Sequence, residues 1–294
     1  CCMAYDSLYN AWQKATYPYE FYEVYLQHFS NKGKKDKVSS LKSEMLRGFG
    51  IHEGPIQWGH DNRKFTADKA NHAIDPSLLS IKGLSQGCAN DLYKLYQTGK
   101  YNDFYSLWKE MSHTRRLNSA KIETLVLLDY FSPFAGGNKI LKFIDACNQL
   151  YGRTQFPKDT DSPYIEYIKK YSETTDKLKT YKNFDCDAAL QEIWNDMPDE
   201  KLRVTQILKA QSDYLGYLQY TNPRLATTYH YVTAIEGKYK NKNITLYQLC
   251  SGETITYKIR PCTLDDNPVE PGEIIKVLDT HTEGKWSKDG DQWV

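Results

Sequence analysis

An α+β multidomain architecture, mostly helical over residues 1–220 and ending in a small β-barrel, follows from three features of the sequence. Apolar residues recur at i, i+3, i+4 and i+7 through much of the first 220 residues. Short runs rich in Tyr, Val, Ile and Thr follow Asn222-Pro223, and Gly-containing turn clusters separate those runs.

The elements come in order. From Cys2 to Ala15, the residues Tyr5, Leu8, Tyr9, Ala11, Trp12 and Ala15 lie at helical spacing. Tyr17-Pro18 ends that run, because proline disfavours helix in the residue before it. Pro18 opens a second helix with Phe21, Tyr22, Tyr25, Leu26 and Phe29 on one face. A loop over 30–36 carries Gly33 among lysines and precedes a third helix. Its inward residues are Val38, Leu41, Met45 and Phe49, and Gly48 and Gly50 end it. Residues 51–76 hold Gly54, Pro55, Gly59 and Pro76 without a sustained period, and read as an irregular connection with a short strand.

Helices are then predicted over 87–97, around Phe104, Leu107, Trp108 and Met111, and over 119–130, 138–150, 164–171, 188–197 and 202–218. Strands are predicted over 229–235, 244–249, 254–259 and 273–278. About 65 residues with four or five strands suit a small closed barrel. The 294 residues match about two domains of ~150 residues each. The pattern further divides them into segments 1–76, 77–150, 151–224 and 225–294.

Lys plus Arg number 38 against 37 for Asp plus Glu, so any preference for a charged partner is local. With 40% hydrophobic and 26% charged residues, collagenous, mucin-like and wholly disordered classes are excluded. The longest apolar stretches, such as Leu125 to Leu128, fall far short of the ~20 residues that cross a bilayer, so no membrane partner is expected. The seven cysteines are odd in number and hold no Cys-x-x-Cys pair, so neither a disulfide framework nor a zinc site is indicated. The expected compartment is reducing cytoplasm. Cys1 stands where a Met would start a chain, and no signal-peptide order follows it, so the expectation is a piece of a longer protein.

The most informative segment runs from Ile81 through Lys82, Gly83, Leu84, Ser85, Gln86, Gly87 and Cys88 to Asn90, and reads as a helix-hairpin-helix. Gly83 lets the backbone turn with positive φ. The exposed amides of the turn, together with the following helix N-terminus, are able to hold a phosphate oxygen, a contact independent of base sequence. The alternative is a plain αα-hairpin whose glycines only make the turn. Arg115-Arg116 with Asn118 sits at a helix start near this turn and is a second DNA candidate, with Asn118 or Ser119 as a simple N-cap the alternative.

Blocks along the chain resemble a family. Tyr17-Pro18-Tyr19-Glu20-Phe21-Tyr22, Gly50-Ile51 with Asp61-Asn62 and Phe65, and Ser80-Ile81-Lys82-Gly83-Leu84 come first. Phe104-Tyr105-Ser106-Leu107, Leu117-Asn118 with Ile122-Glu123-Thr124-Leu125, and Gly136-Gly137-Asn138-Lys139 follow. Their order is similar to that in the bacterial replicative DNA polymerase III alpha subunit, a C-family polymerase, over its distal fingers. Tyr214-Leu215-Gly216-Tyr217-Leu218 with Asn222-Pro223 resembles the helix that precedes the family's OB domain, which makes the barrel OB-like. The family carries a second glycine where Ser85 stands. The clamp-binding peptide of the family, which pairs Gln with an aliphatic residue and Phe, has only poor counterparts here, such as Gln149 to Gln155-Phe156, so a sliding clamp is a possible partner without a clear motif.

The resemblance implies that the intact protein performs DNA-directed DNA synthesis, a nucleotidyl transfer. Two Mg²⁺ ions would be held by palm carboxylates that lie upstream of this chain, and this portion alone would be inactive and without a cofactor. Its expected partners are duplex DNA, single-stranded template and the rest of the polymerase chain. On the barrel, Lys238, Tyr239, Lys240 and Lys242 form a basic, aromatic loop, and Tyr247, Tyr257, Lys258 and Arg260 lie on strands. Aromatic rings stack on bases while cations follow phosphates. The alternative is that these tyrosines fill a half-buried sheet and the lysines solvate a loop. A stand-alone helix-hairpin-helix/OB accessory protein of replication is the second functional reading, and a helical scaffold whose β domain binds protein is the third.

Other features read as structural. Lys32, Lys34, Lys35 and Lys37 fit a solvated turn. His52, His60 and His72 lack ligand spacing. Asp185 and Asp187 suit a helix N-terminus.

Overall fold

The computed structural model describes residues 2–173, 179–238, 241–259, 264, 267–280, 288–289 and 292–293. The chain divides into two units, Cys1–Tyr217 and Leu218–Val294.

In the first unit, α1 (Cys2–Thr16) and α2 (Pro18–Asn31) meet at Pro18, which occupies the first turn of α2, where its missing N–H leaves no helical bond unmade. The sequence places Tyr5, Leu8, Tyr9 and Trp12 on an apolar face of α1, yet all four are exposed. Helix α3 (Lys35–Phe49) runs through Gly48 and ends at Gly50, whose φ of 65° gives the left-handed cap that glycine adopts without a Cβ clash. Tyr22 and Leu26 of α2 pack with Val38 and Met45 of α3 and with Ile51, Phe65 and Ile74 in one core.

The connection after α3 is more regular than expected. It holds β1 (His52–Glu53), β2 (Thr66–Asp68) and β3 (Ala73–Asp75), with β1 parallel and β2 antiparallel to β3. A single 3₁₀ turn, Leu78–Ser80, leads into the segment read as a hairpin. Then come α4 (Gln86–Thr98), α5 (Phe104–Ser112), α6 (Ser119–Leu127) and α7 (Gly137–Leu150). After them lie β4 (Phe156–Pro157), α8 (Ile165–Lys170), β5 (Thr180–Tyr181), α9 (Cys186–Asp196) and α10 (Val204–Ala210). β4 and β5 pair antiparallel.

Caps set several of these starts. Ser85, Asp103, Asn118 and Asp185 each accept a hydrogen bond from the first turn of the helix they precede. Aromatic residues fill the main core, where Phe104 is fully buried and packs against Phe131, Phe143 and Trp194. The helix predicted over 202–218 is shorter. After α10 the chain widens into one π turn, Gln211–Leu215, closed by Gly216 in the left-handed region at φ 80°. The carbonyl of Tyr214 accepts the amide of Lys82 at 2.8 Å, which ties this turn to the hairpin segment.

In the second unit, β6 (Tyr229–Lys238), β7 (Asn241–Gln248), β8 (Thr254–Ile259) and β9 (Ile274–Lys276) form an antiparallel sheet in the order β8-β7-β6-β9. A bulge between Val232 and Ala234 shifts the β6–β7 register. Val232, Ile244 and Leu246 make the core face, joined by Tyr257, Ile259 and Ile275. β10 (Lys288–Asp289) pairs antiparallel with β11 (Gln292–Trp293). The described residues thus show mixed helix and sheet with a four-stranded antiparallel sheet, and no pairing between β8 and β9 closes that sheet among them.

Candidate nucleic-acid interface

The turn from Ile81 to Gly87 is built as the sequence analysis anticipates at one glycine and differently at the serine. Gly83 sits at φ 90°, a conformation that L side chains rarely adopt, and a Cβ there would meet nothing within 4 Å. Ser85, where the resembled family has glycine, is extended at φ −120° and caps α4 through its hydroxyl, which accepts the amide of Cys88. A serine therefore suits this turn better than a second glycine. The arm before the turn is the 3₁₀ turn and not a full helix.

The amides of Lys82 and Leu84 are spent within the protein, on Tyr214 and Ile81. Those of Gly83, Ser85, Gln86 and Gly87 take no acceptor among the described residues. Four free donors therefore gather at the positive end of a 13-residue helix, an arrangement that favours an anion.

Cations flank this end of α4. The side chain of Lys82 is exposed and has no partner among the described residues. Arg116 comes from the loop before α6 and passes against Gly87, and its guanidinium pairs with Asp91 at 3.2 Å. Its neighbour Arg115 is exposed without a partner among the described residues. The Asn118 side chain is used as the cap of α6, accepting from the amide of Lys121 at 3.1 Å. Lys121 reaches back to the carbonyl of Arg116 at 2.9 Å and to the buried Cys88 sulfur at 3.4 Å. Burial raises the Cys88 thiol, but the Ser85 hydrogen bonds and Lys121 outweigh it and hold the pKa below its ordinary value. Lys121 and Asp91, absent from the sequence reading, brace the site. Nothing in the sequence signals the Lys121–Cys88 and Arg116–Asp91 contacts, because they join segments brought together only by folding.

The candidates on the four-stranded sheet separate. Tyr247 is buried and donates its hydroxyl hydrogen bond to the Tyr220 carbonyl at 3.1 Å, so its ring offers no face for stacking. Tyr257 packs into the sheet core. Lys258 is exposed in register with Asn243, while Lys242 shares its side of β7 with Ile244 and Leu246, so these two lysines lie on opposite faces of the sheet. The two rings do what the structural alternative describes. Tyr239, Lys240, Arg260 and the side chain of Lys238 lie outside the described residues.

Two of the histidines and both aspartates read as structural find local partners. His72 bonds the Tyr19 hydroxyl at 2.7 Å, and His60 lies 3.4 Å from Asp75. Asp187 joins Tyr105 and Lys109, while Asp185 caps α9. Phe156 is buried against Phe184 and presents no aromatic to a clamp. Among the described residues no group of three or more His, Cys, Asp or Glu side chains is placed to hold a metal ion. No helix of the described residues is long and apolar enough to cross a membrane. No protein-family model matches the chain, and no curated protein matches it.

Proposed function

We propose that this chain is a DNA-holding portion of a C-family replicative polymerase, gripping duplex backbone at the Gly83–Gly87 turn while a palm outside this sequence performs nucleotidyl transfer. The observation that carries the reading is the set of four unbonded amides at the start of α4, with exposed Lys82 in the same turn and Arg116 lying against Gly87. The block order described above supports the polymerase context. Phosphate oxygen accepts from the amides, and the cations release counterions as they approach the backbone. We read the four-stranded sheet as the described part of an OB-like barrel serving the single-stranded template. In that reading, Lys242 and Lys258 serve different faces.

The test compares duplex binding by the full chain with that of Lys82→Glu and Arg115→Glu, using fluorescence anisotropy at fixed salt. Each exposed charge reversal is expected to weaken binding at least fivefold without shifting the thermal midpoint. Unchanged affinity in both variants rejects the site.

A further inference from the structure

A second feature adjoins this site and takes in the lysine loop that the sequence analysis assigns to a solvated turn. Resting on the DNA-holding reading above, we propose that the cleft between the α2–α3 loop and the hairpin segment seats one unstacked base of a single nucleic-acid strand. Lys34 and Lys82 would hold the phosphates on either side.

The cleft has a volume of about 150 Å³. An apolar hole of about that size accepts one benzene ring, so the scale fits a single six-membered ring. Val38, Leu79, Ile81 and Leu215 line it, together with Tyr217. The position of Tyr217 is fixed from behind: the Lys42 ammonium lies 4.0 Å from the centre of its ring, and its hydroxyl bonds Lys42 and Glu53. The hydrogen bond from Lys82 to Tyr214 pins the π turn carrying Leu215 against the hairpin. The wall is therefore preorganised.

The charge pattern selects the occupant. Lys34 and Lys82, distant in sequence, line the same cleft, and no carboxylate of the described residues lines it with them. Both are exposed, without partners among the described residues. Each adjoins a left-handed glycine, Gly33 at φ 64° and Gly83 at φ 90°, and a Cβ at either would meet nothing within 4 Å. Open space beside two cations, with an apolar slot between them, matches a base flanked by its two phosphates. A paired base is held in its stack, and extracting it costs unstacking energy, so the fitting ligand is a single strand.

The test uses the full chain with three probes: short oligothymidylate, the same length of abasic strand carrying equal charge, and duplex. Wild type is expected to prefer oligothymidylate to the abasic strand at least fivefold, the low end for stacking one base. Ser30 also lines the cleft, and Ser30→Trp, which fills it, should erase that preference and leave duplex binding unchanged. Lys34→Ala, at an exposed position, should weaken both single strands and reduce their salt slope by about one. Equal binding of the two single strands by wild type, or a preference that survives Ser30→Trp, overturns the cleft even where duplex binding stands. Absence of binding to all three probes overturns the DNA-holding reading as well.

Discussion

The side chain of Arg116 lies against Gly87: a Cβ at that glycine would stand 2.8 Å from its Cδ and 3.0 Å from its Nε. The absent side chain lets a guanidinium from the loop before α6 reach the start of α4, where Asp91, one turn further along the helix, holds it. Glycine inside a helix costs roughly 0.5–1 kcal/mol relative to alanine, so this residue gives up backbone stability where Arg116 needs the space.

Gly87→Ala separates the two effects. The helix gains up to about 1 kcal/mol from reduced unfolded-state freedom, while Arg116 is displaced from its place. The expected outcome is a thermal midpoint equal to or above wild type, with duplex affinity reduced at least threefold. Paired melting and anisotropy measurements check it.

A buried ion pair braces the same unit. Lys42 and Glu53 pair beneath Tyr217, and burial holds the Lys42 ammonium below its ordinary pKa against the raising effect of Glu53. Glu53→Ala leaves that cation without its counter-charge and should cost about 3–5 kcal/mol in urea unfolding. The triple variant Lys42→Met, Glu53→Leu, Tyr217→Phe removes the charges together and should lose less than Glu53→Ala alone.

The second unit has its own titration signature. Burial pushes the Tyr247 hydroxyl up to about 12 from its ordinary value of 10.0. Above pH 10 the unfolded chain releases this proton and the folded chain keeps it. The stabilisation is therefore complete below pH 10 and is lost as pH rises towards 12, amounting to about 3 kcal/mol. Tyr247→Phe should abolish this part of the alkaline slope, read as the difference between the two stability–pH curves.

Phe104 tests the aromatic core. Fully buried among Phe131, Phe143 and Trp194, it leaves a cavity on Phe104→Ala that should cost about 3–5 kcal/mol by denaturant unfolding.

The helical half was legible because its signals are local. Pro18 marks a start, Gly50 marks an end, and Phe104, Leu107, Trp108 and Met111 repeat at the helical period and are all buried. Strands of two or three residues, as in β1 to β5, are too short to display a period, so 51–76 read as an irregular connection with a single short strand and β4 and β5 leave no signal in the sequence. Exposure was legible only in part: the α1 aromatics share a helical face, yet they stay open to solvent.

At the site, Gly83 was readable from turn chemistry, and Ser85 as a cap was not, because the resemblance pointed to a glycine at that position. The fate of Tyr247 depends on strand register and on Tyr220, neither of which spacing reveals. The Lys34–Lys82 cleft is a meeting of two loops and leaves no trace in sequence order.

The central claim is that the α4 turn grips DNA backbone. Its most direct test is duplex affinity measured across a salt series for wild type and for a Lys82→Ala, Arg115→Ala, Arg116→Ala variant. The account predicts a linear fall of log affinity with log salt and the same affinity for unrelated sequences. The triple variant should lose about two to three units of slope. Binding that ignores salt, or a slope unchanged by removing all three cations, contradicts it.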